Sequence, residues 1–190
     1  MDPRIARTRR SLREALFALT RERGLDEISV SDIAERAGVN RTTYYQHYSD
    51  KDTLLVEALD VVLADTVGDL DELDEGTGQQ VLLDYVRHVE EHADLYRTLL
   101  GDHGSATVQL RVQQRVQAIL EAAFEREDAP HVPGLPPRVG AAALAGSGLG
   151  IIRAWLETDP LPSHEIAAGW VWTMLHSHRV VAAATDLAMP

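Results

Sequence analysis

Residues 29–55 read SVSDIAERAGVNRTTYYQHYSDKDTLL, and the fold follows from how this stretch is punctuated. Ser29, with Asp32 three residues on, makes a capping box that opens a short helix over Ser31–Ala37. Gly38 stops it, because glycine accepts the left-handed backbone that other residues resist. Asn40 is a good N-cap for a third helix, Arg41–Tyr48. Between the two helices the turn is Gly38-Val39-Asn40, with Val39 as the apolar residue tucked beneath it. Ile33, Ala34 and Ala37 give a small apolar face that lets the helices cross steeply. That is the geometry of a helix-turn-helix, whose second helix enters the major groove of DNA.

The third helix, Arg41-Thr42-Thr43-Tyr44-Tyr45-Gln46-His47-Tyr48, is short and contains no leucine. A helix used only for packing has no need of so polar a face. Gln46 can pair bidentately with adenine and Arg41 with guanine. Tyr45 and His47 can reach phosphate or base, and Thr42 offers a hydroxyl and a methyl. Lys51 falls in the first turn of the next helix, where a cation and free amides can grip a phosphate together. It is the single lysine beside 17 arginines, which points to a compact ammonium being wanted there. Ser31 and Thr43 complete the candidate DNA-contact set.

Working outward, apolar residues recur at helical spacing along the whole chain, with almost no strand signal and no internal repeat. Leu12, Ala15, Leu16 and Leu19 form one stripe on a first helix that Gly24 closes. Ser49 and Asp52 form a second capping pair. They open a fourth helix that carries Leu54, Leu55, Ala58, Leu59, Val62 and Leu63 to about Leu73. Gly76-Thr77-Gly78 reads as a break. Further helices are expected over 79–92, 94–100, 105–127, 137–157 and 163–187, with a proline-rich loop at 129–137. The fold class is all-α with about nine helices. A helix-turn-helix domain spans residues 1–50 and a helical body 51–190.

Composition agrees with a globular protein: 45% hydrophobic and 25% charged residues. The absence of cysteine excludes disulfides and thiolate metal sites. The start, Met1-Asp2-Pro3-Arg4, lacks the apolar core of a secretion signal. The longest apolar run, Val139–Ile152, is 14 residues, short of the roughly 20 that a membrane span needs. A cytoplasmic protein with no membrane partner is therefore expected. The net charge of −12 argues against nucleic acid until it is located. Residues 61–190 hold 8 basic and 19 acidic side chains, whereas residues 1–60 hold 10 and 11. Arg4, Arg7, Arg9, Arg10 and Arg13 crowd the first helix and could serve phosphate, or merely solvate a frayed end.

The stretch quoted above resembles the N-terminal signature of the TetR family of transcription regulators. The family pattern is met by Ile33-Ala34, Ala37-Gly38-Val39, Asn40, Thr43, Tyr45, Tyr48, Lys51 and Leu54, within a match over about 8–60. The resemblance implies that Arg41, Thr42, Tyr45, Gln46, His47 and Lys51 occupy DNA-contact positions. Tyr44 and Tyr48 stand where the family usually has apolar, inward-packed residues, which leaves open whether their hydroxyls reach DNA. The stretches LYRTLLGDHG (95–104) and GSGLGIIRAWLETDPLPSHEIA (146–167) also resemble a subgroup that includes regulators of dihydroxyacetone kinase genes. Membership implies a homodimer that binds double-stranded palindromic DNA, usually as a repressor, and is released by a small-molecule effector. No catalysis and no cofactor are expected.

For the body, a pocket lined by Tyr85, His88, His92, Tyr96, Phe124, Arg153 and Trp155 is expected from their apolar bodies and polar tips. The same residues could be core aromatics with satisfied tips. Small residues at 141–150 and aromatic residues in the last helix suit a two-fold helical interface, with Ala145, Leu149, Trp170, Met174 and Val181 as candidates. The alternatives are a metal-dependent hydrolase using His88-Val89-Glu90-Glu91-His92, an H-x-x-E-H pattern, and a helical adaptor that binds only proteins. The histidine motif lacks a recognisable third ligand, so no metal is assigned.

Overall fold

A computed structural model describes residues 3–68, 75–102, 104–124 and 134–186, with side chains omitted for 75, 76 and 177–186. Among them lie nine helices: α1 (Pro3–Arg23), α2 (Val30–Arg36), α3 (Arg41–His47), α4 (Lys51–Val67), α5 (Glu75–Glu91), α6 (Ala93–Leu100), α7 (Ala106–Phe124), α8 (Pro137–Leu156) and α9 (His164–Asp186). The all-α expectation holds, and the helix boundaries fall close to the punctuation in the sequence. Helix α4 ends at Val67 with Gly68 as its C-cap, short of the expected Leu73, and most of the proline-rich loop lies outside the described residues.

The head forms as its caps dictate. Ser29 and Asp32 make the capping box at α2, each side chain bonding the other's backbone amide. Gly38, at φ +69°, closes α2. Its N–H donates to Glu35 O at 3.0 Å, and Val39 N–H donates to Ala34 O at 2.9 Å. These are the two bonds of a Schellman end. Asn40 accepts the Thr43 amide at 2.7 Å and starts α3. The α1 stripe of Leu12, Ala15, Leu16 and Leu19 is buried, together with Ile33, Ala34, Leu54, Leu55 and Ala58. Removing these faces from water supplies most of the head's stability.

Two expectations about caps and breaks are corrected. The N-cap of α4 is Asp50, not Ser49. The Asp50 carboxylate accepts the Thr53 amide at 2.7 Å and the Thr53 hydroxyl at 2.8 Å. Ser49 supports it by donating its own hydroxyl to Asp50 at 2.9 Å. An ionised acceptor outcompetes a hydroxyl at a positive helix end. Asp52, the other half of the expected pair, instead accepts the Ser105 hydroxyl at 2.7 Å, tying α4 to the start of α7. Gly76-Thr77-Gly78 is no break, because these residues form the first turn of α5. Glycine costs a helix only ~1 kcal/mol, and α5 recovers this by packing against α9, where Gly78 faces the Trp172 ring.

The body is a helical layer in which α8 is flanked by α7 and α9. Helix α8 is long and apolar enough to cross a membrane by length and composition. Here its inner face, with Ala141, Leu144, Ala145, Ile152, Trp155 and Leu156, is buried in the protein core. The apolar core is continuous from Leu12 in α1 to Val171 in α9, so head and body are not separated by a polar seam.

Lys51 fastens the head. Its ammonium donates to Leu25 O at 2.7 Å and to Ile28 O at 3.0 Å, closing the turn between α1 and α2. Charge-assisted bonds of this kind each contribute about 2 kcal/mol. Lys51→Met should therefore lower unfolding free energy by about 4 kcal/mol in urea denaturation; an unchanged midpoint would assign the bonds no weight. Asp50→Ala should cost ~1 kcal/mol in the same assay, whereas Ser49→Ala should stay within about 0.5 kcal/mol. The reverse order would restore Ser49 as the cap.

Candidate nucleic-acid interface

Helix α3 has two faces with separate tasks. On the inner face Tyr44 is 0% and Tyr48 2% exposed. The Tyr44 hydroxyl donates to Asp50 O at 2.9 Å. The Tyr48 hydroxyl donates to Glu57 at 2.8 Å. Glu57 also receives Arg13 at 3.0 Å and Arg9 at 3.3 Å, and the Arg9 guanidinium lies 5.7 Å from the Tyr48 ring centre. Burial pushes both phenols above their ordinary pKa, with Glu57 adding to the rise at Tyr48. Both therefore stay protonated and act as donors within the protein. Their hydroxyls are committed inward and do not face a groove.

On the outer face Arg41, Thr42, Tyr45 and Gln46 are exposed, while Thr43 and His47 are half-buried. Arg41 donates to the Tyr45 hydroxyl at 3.3 Å and stacks 5.5 Å from that ring's centre. It has no ion pair among the described residues. Four other cations of the head, Arg9, Arg13, Arg23 and Arg36, are paired with carboxylates. Arg36 holds Glu22 through two bonds of 2.8 and 2.6 Å, and Arg23 holds Asp32 at 2.9 Å. Of the five arginines early in α1, Arg9 and Arg13 are bound to Glu57, while Arg7 and Arg10 are exposed. Ser31 is exposed in the first turn of α2. Lys51, expected to grip a phosphate, spends two of its N–H groups on Leu25 O and Ile28 O.

The body candidates divide into a cluster, a cleft and a core residue. Tyr85, His88, His92 and Tyr96 pack ring against ring beside Phe17 of α1. The centroid distances are 4.5 Å for His88–His92, 5.9 Å for His88–Tyr96 and 6.5 Å for Tyr85–Tyr96. Burial is the main cause that lowers the pKa of both imidazoles, taking His88 to about 4. A cleft of about 450 Å³ opens between α6 and α8, with Tyr96, Arg97, Leu100, Arg153 and Leu161 in its wall. Arg153 is exposed and paired with Asp102 at 2.7 Å and Glu157 at 3.1 Å. Trp155 is 1% exposed and gives its N–H to Pro162 O at 2.8 Å, so it is a satisfied core residue, away from the cleft wall. Phe124 is half-buried at the end of α7.

Among the interface candidates Trp170 and Met174 are 45% and 43% exposed. Ala145 is corrected: at 1% exposure it faces the chain's own core. The outward small residues of α8 are Ala143, Gly146 and Gly150. Leu149 is half-buried against the core, and the Val181 side chain lies outside the described residues. Sequence reasoning missed Glu57 and the Asp52–Ser105 bond. Both join residues far apart in the chain and leave no local pattern.

Comparison with known proteins agrees with this geometry. Residues 12–58 match the family model described as bacterial regulatory proteins, tetR family. Residues 76–174 match a model for a transcriptional regulator C-terminal region. A stretch of 56 residues, 29% of the chain, is 38% identical to the uncharacterized HTH-type transcriptional regulator YxbF of Bacillus subtilis. It spans 15% of that protein's length, and a similar match spans 27% of an uncharacterized regulator from Haemophilus influenzae. The dihydroxyacetone kinase operon activator DhaS has the same fold, with a TM-score of 0.66 and 20% identity over 90% of this chain and 94% of that one. So does the Thermus thermophilus repressor FadR, solved with lauroyl-CoA, at 0.60 and 18% over 88% and 92%. The outward polar helix on its tyrosine anchors, the all-helical body and the two family matches agree: the chain belongs to the TetR family of bacterial regulatory proteins.

Proposed function

We propose that this chain is a cytoplasmic transcription repressor that binds a palindromic operator as a homodimer and is released by a small-molecule effector. The observation that carries the reading is the outer face of α3. Arg41, Thr42, Tyr45 and Gln46 are exposed there, while Tyr44 and Tyr48 fix the helix from behind. Gln46 and Arg41 read base edges. Thr42, Thr43, Tyr45, His47, Ser31 and Lys51 serve phosphates and register. Two copies of α3 meet successive major grooves ~34–36 Å apart.

Dimerisation is supported by an exposed apolar stripe. Ile166, Trp170 and Met174 follow each other at four-residue steps along α9 and are 50%, 45% and 43% exposed. The small outward residues of α8, Ala143, Gly146 and Gly150, would let a second pair of helices approach closely. The cleft between α6 and α8 is the natural effector site, and the lauroyl-CoA held by FadR supports a ligand-binding body on this fold. An effector acts only through the difference in its affinity for the two spacings of the heads.

Selection of bound sequences from a random DNA pool tests the reading. A palindromic consensus supports it, and a pool that never enriches defeats it. Gln46→Ala should relax preference at one position per half-site, costing ~1–3 kcal/mol of discrimination; an unaltered consensus rules out direct readout by Gln46. Trp170→Glu should yield monomers by light scattering, and a dimeric variant would place the interface off α9.

A further inference from the structure

The corner where α5 meets α6 holds three donors that the DNA-binding reading leaves unused. His88 and Glu91 lie in the last turn of α5, and His92 is the N-cap residue of α6, where its side chain makes no cap bond. One ligand atom from each lies within 4.8 Å of the others. His88 Nε2 and His92 Nδ1 are buried and have no hydrogen-bond partner, and His92 is only 9% exposed. Leaving a buried polar nitrogen unpaired is costly, and two side by side call for an explanation. The rings stand 4.5 Å apart, and Glu91 lies on the solvent side.

Two imidazoles and one carboxylate form a donor set suited to zinc, which holds nitrogen and oxygen ligands at about 2.0–2.2 Å. Tetrahedral donors at that distance stand roughly 3.4 Å from one another. A side-chain rotation of Glu91 and a slight convergence of the rings would close the set, leaving one position for water. Glu90, the other carboxylate of the motif, is taken: it accepts the His164 amide at 3.2 Å and bonds the His164 ring at 2.7 Å. We propose that His88, Glu91 and His92 bind one divalent transition-metal ion of the zinc type per chain. Phe17 of α1 packs on both rings, at 5.6 Å from His88 and 4.8 Å from His92. Closing the rings on an ion therefore moves the helix that carries the head. This last step rests on the DNA-binding reading; the site itself does not.

The test uses the full-length protein, stripped with a chelator and titrated with zinc against a chromophoric competitor. One zinc per chain is expected, with an affinity reduced about tenfold or more in His88→Gln and in Glu91→Gln, and unchanged in His176→Asn. Cobalt in place of zinc should give tetrahedral visible bands that both variants lose. Glu91 is exposed, so its variant remains informative if the histidine variant fails to fold. Substoichiometric zinc, or wild-type affinity in Glu91→Gln together with a folded His88→Gln, overturns the site. With DNA recovered from the random pool, zinc should change affinity about tenfold. Equal binding with and without zinc overturns the coupling to the head. No DNA binding in either state counts against the DNA-binding reading, while the zinc titration still decides the site.

Discussion

A seven-residue helix cannot persist in water by itself, because nucleation costs more than two turns of hydrogen bonds return. Helix α3, started by the Asn40 cap, is held from behind by Tyr44 and Tyr48. Each ring buries a large apolar surface, and each hydroxyl reaches one polar acceptor, Asp50 O or Glu57. The arrangement lets one short element be apolar and fully satisfied on one side while remaining entirely polar on the other. An aliphatic residue in these places would provide the burial without orienting the helix about its own axis.

The same anchors link the head to the rest of the molecule. Glu57 and Asp50 belong to α4 and its cap, and α4 runs on into the body without interruption. Its first turn is tied to α7 through Asp52 and Ser105. The attitude of α3 is therefore set by α4, and that of α4 by the body. Helix α7 is thus joined to α3 through the Ser105–Asp52 bond, the covalent run of α4 and the hydrogen bonds of Tyr44 and Tyr48.

Much of this was legible in the sequence because the signals are local. Ser29 with Asp32, Gly38 and Asn40 each act within three or four residues, and each does in the structure what its chemistry predicts. The choice of Asp50 over Ser49 as the α4 cap is local and turns on charge, whereas the other differences arise where a distant partner decides the outcome. Spacing pairs Asp52 with Ser49, yet its hydrogen bond goes to Ser105. Gly76 and Gly78 read as a break, yet packing against α9 carries the helix through them. Ala145 fits the small-residue run, but the run wraps around α8, and only three-dimensional packing tells which side faces in. At the candidate interface the residue types were readable, whereas Glu57, which organises Tyr48, Arg9 and Arg13, has no sequence signature.

The pairing of the head's arginines has a consequence for ions in solution. Cations already held by Glu57, Glu22 and Asp32 cannot displace as much of the counterion atmosphere around a duplex as their number suggests. Each phosphate neutralised steepens the dependence of log affinity on log salt by roughly 0.9. A head that relies on Arg41, a few exposed arginines of α1 and neutral hydroxyl and amide donors would thus bind DNA with a shallow salt response. Its discrimination would come more from the fit of hydrogen bonds than from bulk attraction, a sensible division of labour for a chain whose net charge is −12.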